Sequence, residues 1–87
     1  MNLRMDDLSR DEKMILVQHA IKKYENEEKL ISKLTSIFPA KDIQRIIDTL
    51  IGTQKVRRIG PEVLENNESH TELPELTENL KPILEKL

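Results

Sequence analysis

Apolar residues recur at spacings of three and four in the first half of the chain, which is the period of an amphipathic helix. The first run consists of Met14, Val17, Ile21 and Tyr24. Ser9 and Glu12 precede this run in the pattern of a capping box, in which each side chain accepts a hydrogen bond from the other residue's amide. We therefore predict helix 1 over residues 9–24 with its cap, after a flexible N-terminus of residues 1–8.

Two further apolar runs follow, separated by a proline. The first run comprises Leu30, Ile31, Leu34 and Phe38, and the second comprises Ile43, Ile46, Ile47, Leu50 and Ile51. Pro39 cannot continue a helix but fits the first turn of the next one. The pattern predicts helix 2 over residues 26–37, capped by Asn26, and helix 3 over residues 39–52, with Gly52 in the left-handed position that commonly ends a helix.

After Gly52 the period changes to that of a strand. Residues 55–59 read as a short strand, because the β-branched Val56 and Ile59 have arginines between them, and Gly60–Pro61 is expected to bend the strand before Val63–Leu64 resumes it. Residues 66–69 are a turn cluster, and we expect residues 71–76 to return as the second strand. This gives a hairpin, or wing, over residues 55–76.

The chain closes with a predicted helix over residues 77–87, whose Leu80, Ile83, Leu84 and Leu87 share one face. An alternative helix would start at Pro74 and align Leu73 and Leu76 with that face in a heptad-like seam. It would place Pro82 deep inside the helix at a cost of about 3 kcal/mol. The hairpin and the shorter helix are therefore favoured.

Composition narrows the class of protein. Eighty-seven residues correspond to one domain, and 37% hydrophobic with 34% charged residues is typical of a soluble globular chain. Only Tyr24 and Phe38 are aromatic, so the core must be aliphatic and the stacking platforms of single-strand binders are absent. The lack of cysteine excludes disulfides and zinc fingers, and we expect a cytoplasmic protein without a membrane segment.

The net charge of −2 conceals an uneven distribution. Residues 40–60 carry five basic side chains against two aspartates, whereas residues 61–87 carry seven glutamates against two lysines. A basic middle and an acidic tail are more informative about partners than the total charge.

Three helices, a strand pair and a closing helix, in this order, resemble small bacterial and archaeal winged helix-turn-helix transcription regulators. Residues 43–60 are similar to the recognition helix of that family and its first wing strand, and residues 76–84 to the Leu-Thr-Glu entry into its last helix. The chain departs from the family by an early Gly52 and by glutamates throughout residues 62–75, where a DNA-gripping wing normally carries lysine or arginine.

The resemblance implies a mainly α, α+β fold and double-stranded DNA as the partner. Helix 3 would enter the major groove, where arginine and lysine can bond guanine and glutamine can bond adenine. The start of the first wing strand would bind DNA phosphates. Such contacts fix the position of the protein on the duplex but do not distinguish base sequences. The implied DNA-binding residues are Lys41, Gln44, Arg45, Lys55, Arg57 and Arg58. From the residues alone, the same side chains also fit a solvated helix face and an edge strand protected by charge.

Catalysis and metal binding have little support in the sequence. No glycine-rich phosphate loop, cysteine nucleophile or calcium-loop spacing is present. His19 and His70 lack suitably spaced partners and are interpreted as structural or surface residues. We expect a protein that is not an enzyme and needs no cofactor or metal.

Two functions remain open at this point. The first is a DNA-binding transcription regulator, which the closing helix would pair into a homodimer with recognition helices about 34 Å apart. The second is a winged-helix module that binds a basic protein partner through the acidic wing, as part of a larger assembly.

Overall fold

The computed structural model describes residues 8–69 and 72–87. Over these residues the chain forms four α-helices and one two-stranded antiparallel hairpin, an α+β arrangement. The elements are α1 (Arg10–Tyr24), α2 (Glu27–Leu34), α3 (Ala40–Gly52), β1 (Val56–Gly60), β2 (Val63–Asn66) and α4 (Lys81–Lys86).

Helix α1 is the central element of the fold. Its predicted capping box is confirmed: the amide of Glu12 donates to Ser9 Oγ at 3.1 Å, and the amide of Ser9 donates to Glu12 Oε1 at 3.0 Å. Neighbouring elements cover α1 on several sides, since α2, α3, β2 and α4 all contact it. Leu8, just before the cap, is also buried, so the prediction of a flexible end over residues 1–8 is wrong for this residue; residues 1–7 lie outside the described part of the chain.

The break between the second and third helices is confirmed at Pro39. Asn26 caps α2 by accepting from the amide of Lys29 at 2.9 Å, but α2 ends at Leu34 rather than at residue 37. The amide of Phe38 then donates to the carbonyl of Leu34, and the Phe38 ring is buried in the core. Pro39 has extended backbone angles and α3 begins immediately after it.

The end of α3 differs from the prediction in which residue takes the left-handed conformation. Gly52 does not have a positive φ; Gln54 does, with φ of 62°. The amides of Lys55 and Gln54 donate to the carbonyls of Leu50 and Ile51, both at 3.0 Å. These two bonds form a Schellman motif with Gln54, two residues after Gly52, in the left-handed position.

The hairpin is shorter than the predicted wing. Its strands pair Val56 with Asn66 and Gly60 with Val63, with an irregularity between Arg58 and Gly60. Residues 63–64 therefore begin the second strand instead of resuming the first. The prediction of a strand over residues 71–76 is wrong for residues 72–76, which have no regular structure, and residues 70–71 lie outside the described residues.

A backbone pairing attaches the hairpin to the junction between α1 and α2. The amide of Glu27 donates to the carbonyl of Glu62 at 2.7 Å, and the amide of Leu64 donates to the carbonyl of Glu25 at 2.9 Å. The resulting bridge joins Asn26 to Val63. The hairpin is thus held against the helices by main-chain hydrogen bonds as well as by the buried Leu64.

The C-terminal segment packs along one side of α1. His19 Nε2 lies 2.7 Å from the carbonyl oxygen of Pro74, and Asn79 donates to the Glu12 carboxylate. That bond, together with the Ser9 cap, lowers the pKa of Glu12. At the other end of α1, Lys23 Nζ donates to the carbonyls of Leu84 and Leu87 at 3.2 and 3.1 Å, so α4 runs alongside α1 in the same direction.

Helix α4 is shorter than predicted, and Pro82 lies in its first turn as expected. The alternative helix from Pro74 is wrong, because residues 72–77 are not helical. Leu80 and Leu87 are buried against the rest of the chain. They join a single aliphatic core with Leu8, Leu16, Val17, Ala20, Ile21, Leu30, Leu34, Phe38, Ile43, Ile47, Leu50, Val56 and Leu64.

Leu80→Ala tests whether the C-terminal segment belongs to this core. The Leu80 side chain is fully buried, so we expect the free energy of unfolding to fall by about 2–5 kcal/mol in urea denaturation. Ile59→Ala is the matched control, because Ile59 is 57% exposed and its truncation should cost about 1 kcal/mol or less. Equal effects of the two substitutions would mean that residues 72–87 contribute little to the folded core.

Gly52→Ala tests the end of α3. Gly52 is helical, and an added Cβ would meet nothing within 4 Å. We expect alanine to raise the free energy of unfolding by about 0.4–1 kcal/mol, because it restricts the unfolded chain and favours the helix. A loss of stability in thermal or urea unfolding would instead place Gly52 in the left-handed position that the sequence suggested.

Candidate nucleic-acid interface

The rotation of α3 about its axis is fixed by three buried side chains, Ile43, Ile47 and Leu50. Residues on the opposite face must point outward, since a helix repeats every 3.6 residues. Lys41 and Arg45 lie on that outward face and are exposed. These two predicted site residues are thus one turn apart on the solvent side of the helix.

The third predicted residue of α3, Gln44, is engaged within the helix. Its Nε2 donates to Asp48 Oδ1 at 3.2 Å. Asp48 is exposed and lies seven residues after Lys41, so its carboxylate shares the outward face of α3 with Lys41 and Arg45. Asp48 is thus the partner of the Gln44 amide, and its charge is also the smallest of the causes that raise the pKa of Arg58.

Both predicted arginines of the hairpin are paired with glutamates. Arg57 Nε and Nη2 lie 3.0 and 2.9 Å from Glu65 Oε2, directly across the two strands. Arg58 bonds the carboxylate of Glu27 in α2; this bond is the main cause of the raised pKa of Arg58. Each pair is solvent-accessible and contributes at most about 1 kcal/mol to stability. Its main effect is to neutralise a cation that the sequence assigned to phosphate binding.

Lys55 lies between the helix and the hairpin. Its side chain is half-buried, and its carbonyl accepts from the amide of Asn67 at 2.9 Å. Within residues 8–69 and 72–87, Lys55 forms no ion pair, and neither do Lys41 and Arg45. The six predicted residues therefore divide into three whose side chains bond carboxylates, and three cations that have no ion pair within this part of the chain.

A groove of about 490 Å³ runs between the start of α1 and the α1-facing side of α3. Its lining is Arg10, Lys13, Met14, Asp42, Arg45, Ile46 and Thr49. Arg45 thus borders both the outward face of α3 and this groove. Arg10 and Lys13 are not among the DNA-binding residues predicted from the sequence. The one indication of such a role was their spacing of three residues beside Met14, which places them on one face of α1.

Five glutamates of the hairpin region and the segment after it are exposed: Glu62, Glu65, Glu68, Glu72 and Glu75. Glu65 pairs with Arg57, and Glu68 lies 3.9 Å from Lys22 of α1. The groove lining is therefore net basic, whereas the arginines of the hairpin are neutralised.

Across the described ranges, 8–69 and 72–87, histidines and carboxylates do not cluster in any group of three or more that could hold a metal ion. His19 contacts a backbone carbonyl, and His70 lies outside those ranges. The helices of this part of the chain are too short or too polar to cross a membrane. Neither the family models, nor the curated proteins, nor the solved structures with which the chain was compared give a match.

Proposed function

We propose that this chain is a winged-helix protein that binds double-stranded DNA through α3, in the manner of a transcription regulator. Three helices, a hairpin and a closing helix follow one another in the order that the resemblance requires. The bridge between Asn26 and Val63 supports the same arrangement, because it fixes the hairpin beside the helices as a wing.

The observation that carries the proposal is the outward pair of Lys41 and Arg45 on a helix whose other face is buried. A helix of 13 residues is about 20 Å long and fits the major groove, which is about 12 Å wide. Arg45 and Lys41 are suited to the acceptors O6 and N7 of guanine. Gln44 can address adenine only if it leaves Asp48.

The roles of the basic residues near the hairpin are unequal under this proposal. Lys55 is available to a phosphate at the start of the strand. Arg57 and Arg58 would first have to exchange Glu65 and Glu27 for phosphate. Their contribution to affinity should therefore be small, although the sequence places them beside the recognition helix.

Two double substitutions, each removing two positive charges, test this division. Lys41→Ala/Arg45→Ala should weaken binding to duplex DNA about tenfold or more at low salt, because each cation that contacts DNA contributes about 0.9 to the slope of log affinity against log salt. Arg57→Ala/Arg58→Ala should weaken it by less than about threefold, since those cations are already neutralised. Fluorescence anisotropy with random-sequence duplexes provides the measurement.

If Arg57→Ala/Arg58→Ala lowered the affinity for DNA more than Lys41→Ala/Arg45→Ala, the DNA interface would lie at the hairpin. If the wild-type protein shows no duplex binding at low salt, the proposed function is wrong.

The homodimer through the closing helix stays a prediction. Leu80 and Leu87, two of the four residues expected at its interface, are buried within the chain itself. A second copy would have to use the half-buried Ile83 and Leu84.

A second candidate function is protein binding through the hairpin. Ile59 lies at the irregularity of β1 and is 57% exposed, the largest exposure of any large apolar residue in the described ranges. The neutralised Arg57 and Arg58 precede it in the strand, and the exposed Glu62 follows it in the turn, so its neighbours are polar and net acidic. An apolar centre with such neighbours is typical of a contact with a basic protein.

Ile59→Asp and Glu62→Lys test this second function. Under it, both substitutions should abolish capture of a protein partner in a pull-down while leaving the fold intact, because one removes the apolar contact and the other reverses a neighbouring charge. Lys86→Glu on α4 is the matched control and should leave capture unchanged. A partner retained by both hairpin variants would exclude this surface.

A further inference from the structure

The two sides of α3 differ in charge. The hairpin side presents Lys55 and two arginines whose charges are cancelled by glutamates. The side towards α1 presents Arg10, Lys13 and Arg45 against Asp42. A polyanion lying against α3 is therefore attracted more strongly on the α1 side than on the hairpin side.

The groove on the α1 side has an apolar floor and a basic rim. Met14 and Ile46 are half-buried at the floor, and the three cations stand around them. Thr49 bonds the carbonyl of Arg45 with its hydroxyl at 2.9 Å. Asp42 contributes the single carboxylate of the lining, so three positive charges and one negative charge leave a net charge of +2.

We propose that this groove binds one sugar–phosphate strand of the duplex that α3 reads, so that α1 and not the hairpin anchors the DNA backbone. The inference rests on the proposed function and assigns a place to the backbone strand. Phosphates would contact Arg10 and Lys13, while the apolar faces of the deoxyriboses would lie over Met14 and Ile46. Alternating sugars and phosphates match a lining that combines an apolar floor with cations.

Arg45 links the groove to the face of α3 that reads the bases. It borders the groove and also lies on the outward face beside Lys41, so it fixes where the backbone strand lies relative to α3. A duplex whose major groove receives α3 must have a backbone strand on each side of that helix. The glutamates of the hairpin would repel one of these strands if the DNA leaned towards β1 and β2, so the contact shifts to the α1 side.

Salt-dependent binding of random-sequence duplex DNA tests the proposal with three variants. Arg10→Ala/Lys13→Ala should flatten the slope of log affinity against log salt by up to about 1.8, because each lost phosphate contact contributes about 0.9. Asp42→Asn should act in the opposite direction and strengthen binding, since it removes the carboxylate of the groove. Base preference should be unchanged in both variants.

Lys33→Ala/Lys86→Ala is the matched control. It also removes two positive charges; both lysines are exposed, lie outside the lining of the groove and have no ion pair among the described residues. This variant should keep the slope of the wild-type protein. Circular dichroism checks that every variant folds; Arg10 is exposed, so its replacement should leave the fold intact.

The possible failures are distinguishable. Wild-type binding with a slope that Arg10→Ala/Lys13→Ala leaves unchanged would overturn the groove inference and leave the proposed function standing. A wild-type protein that binds no duplex would overturn both. If the slope is unchanged but the same variant converts a dimer into a monomer in light scattering, the groove is an interface between copies of the chain and not a DNA site.

Discussion

The burial of Ile43, Ile47 and Leu50 in the common core fixes the position of α3, and the remaining features of the surface follow from it. These side chains set the rotation of α3, and the rotation decides which polar residues face solvent. A rotation by one residue, about 100°, would bury Lys41 or Arg45 and break the core. The apolar packing of a small aliphatic core thus determines the electrostatic surface that the proposed function uses.

That surface is divided because α1 is covered unequally. The C-terminal segment occupies one side of α1 through contacts at Glu12, His19 and Lys23. The opposite side, at Arg10 and Lys13, faces α3 and stays open as a groove. A chain with a net charge of −2 therefore carries a local basic surface, and seven of its sixteen acidic residues lie within residues 61–87.

The sequence predicts those features that are encoded locally. The Ser9 capping box and the break at Pro39 are set by a few neighbouring residues, and both are present in the fold. The partner of β1 is harder to assign: residues 63–64 and 73–76 both offer apolar side chains, and the structure pairs β1 with the nearer pair across Pro61 and Glu62. Likewise, Arg10 becomes a neighbour of Arg45 only through the contact of α1 with α3, so the sequence could not assign the groove.

We propose that DNA binds to the α1-facing side and the outward face of α3. Nuclear magnetic resonance of the ¹⁵N-labelled protein, titrated with a duplex, measures this directly. We expect the amide signals of residues 10–14 and 40–49 to shift together, whereas those of β1 and β2 should change little. Shifts confined to the hairpin, or no shifts at all, would show that α3 and the start of α1 do not bind DNA.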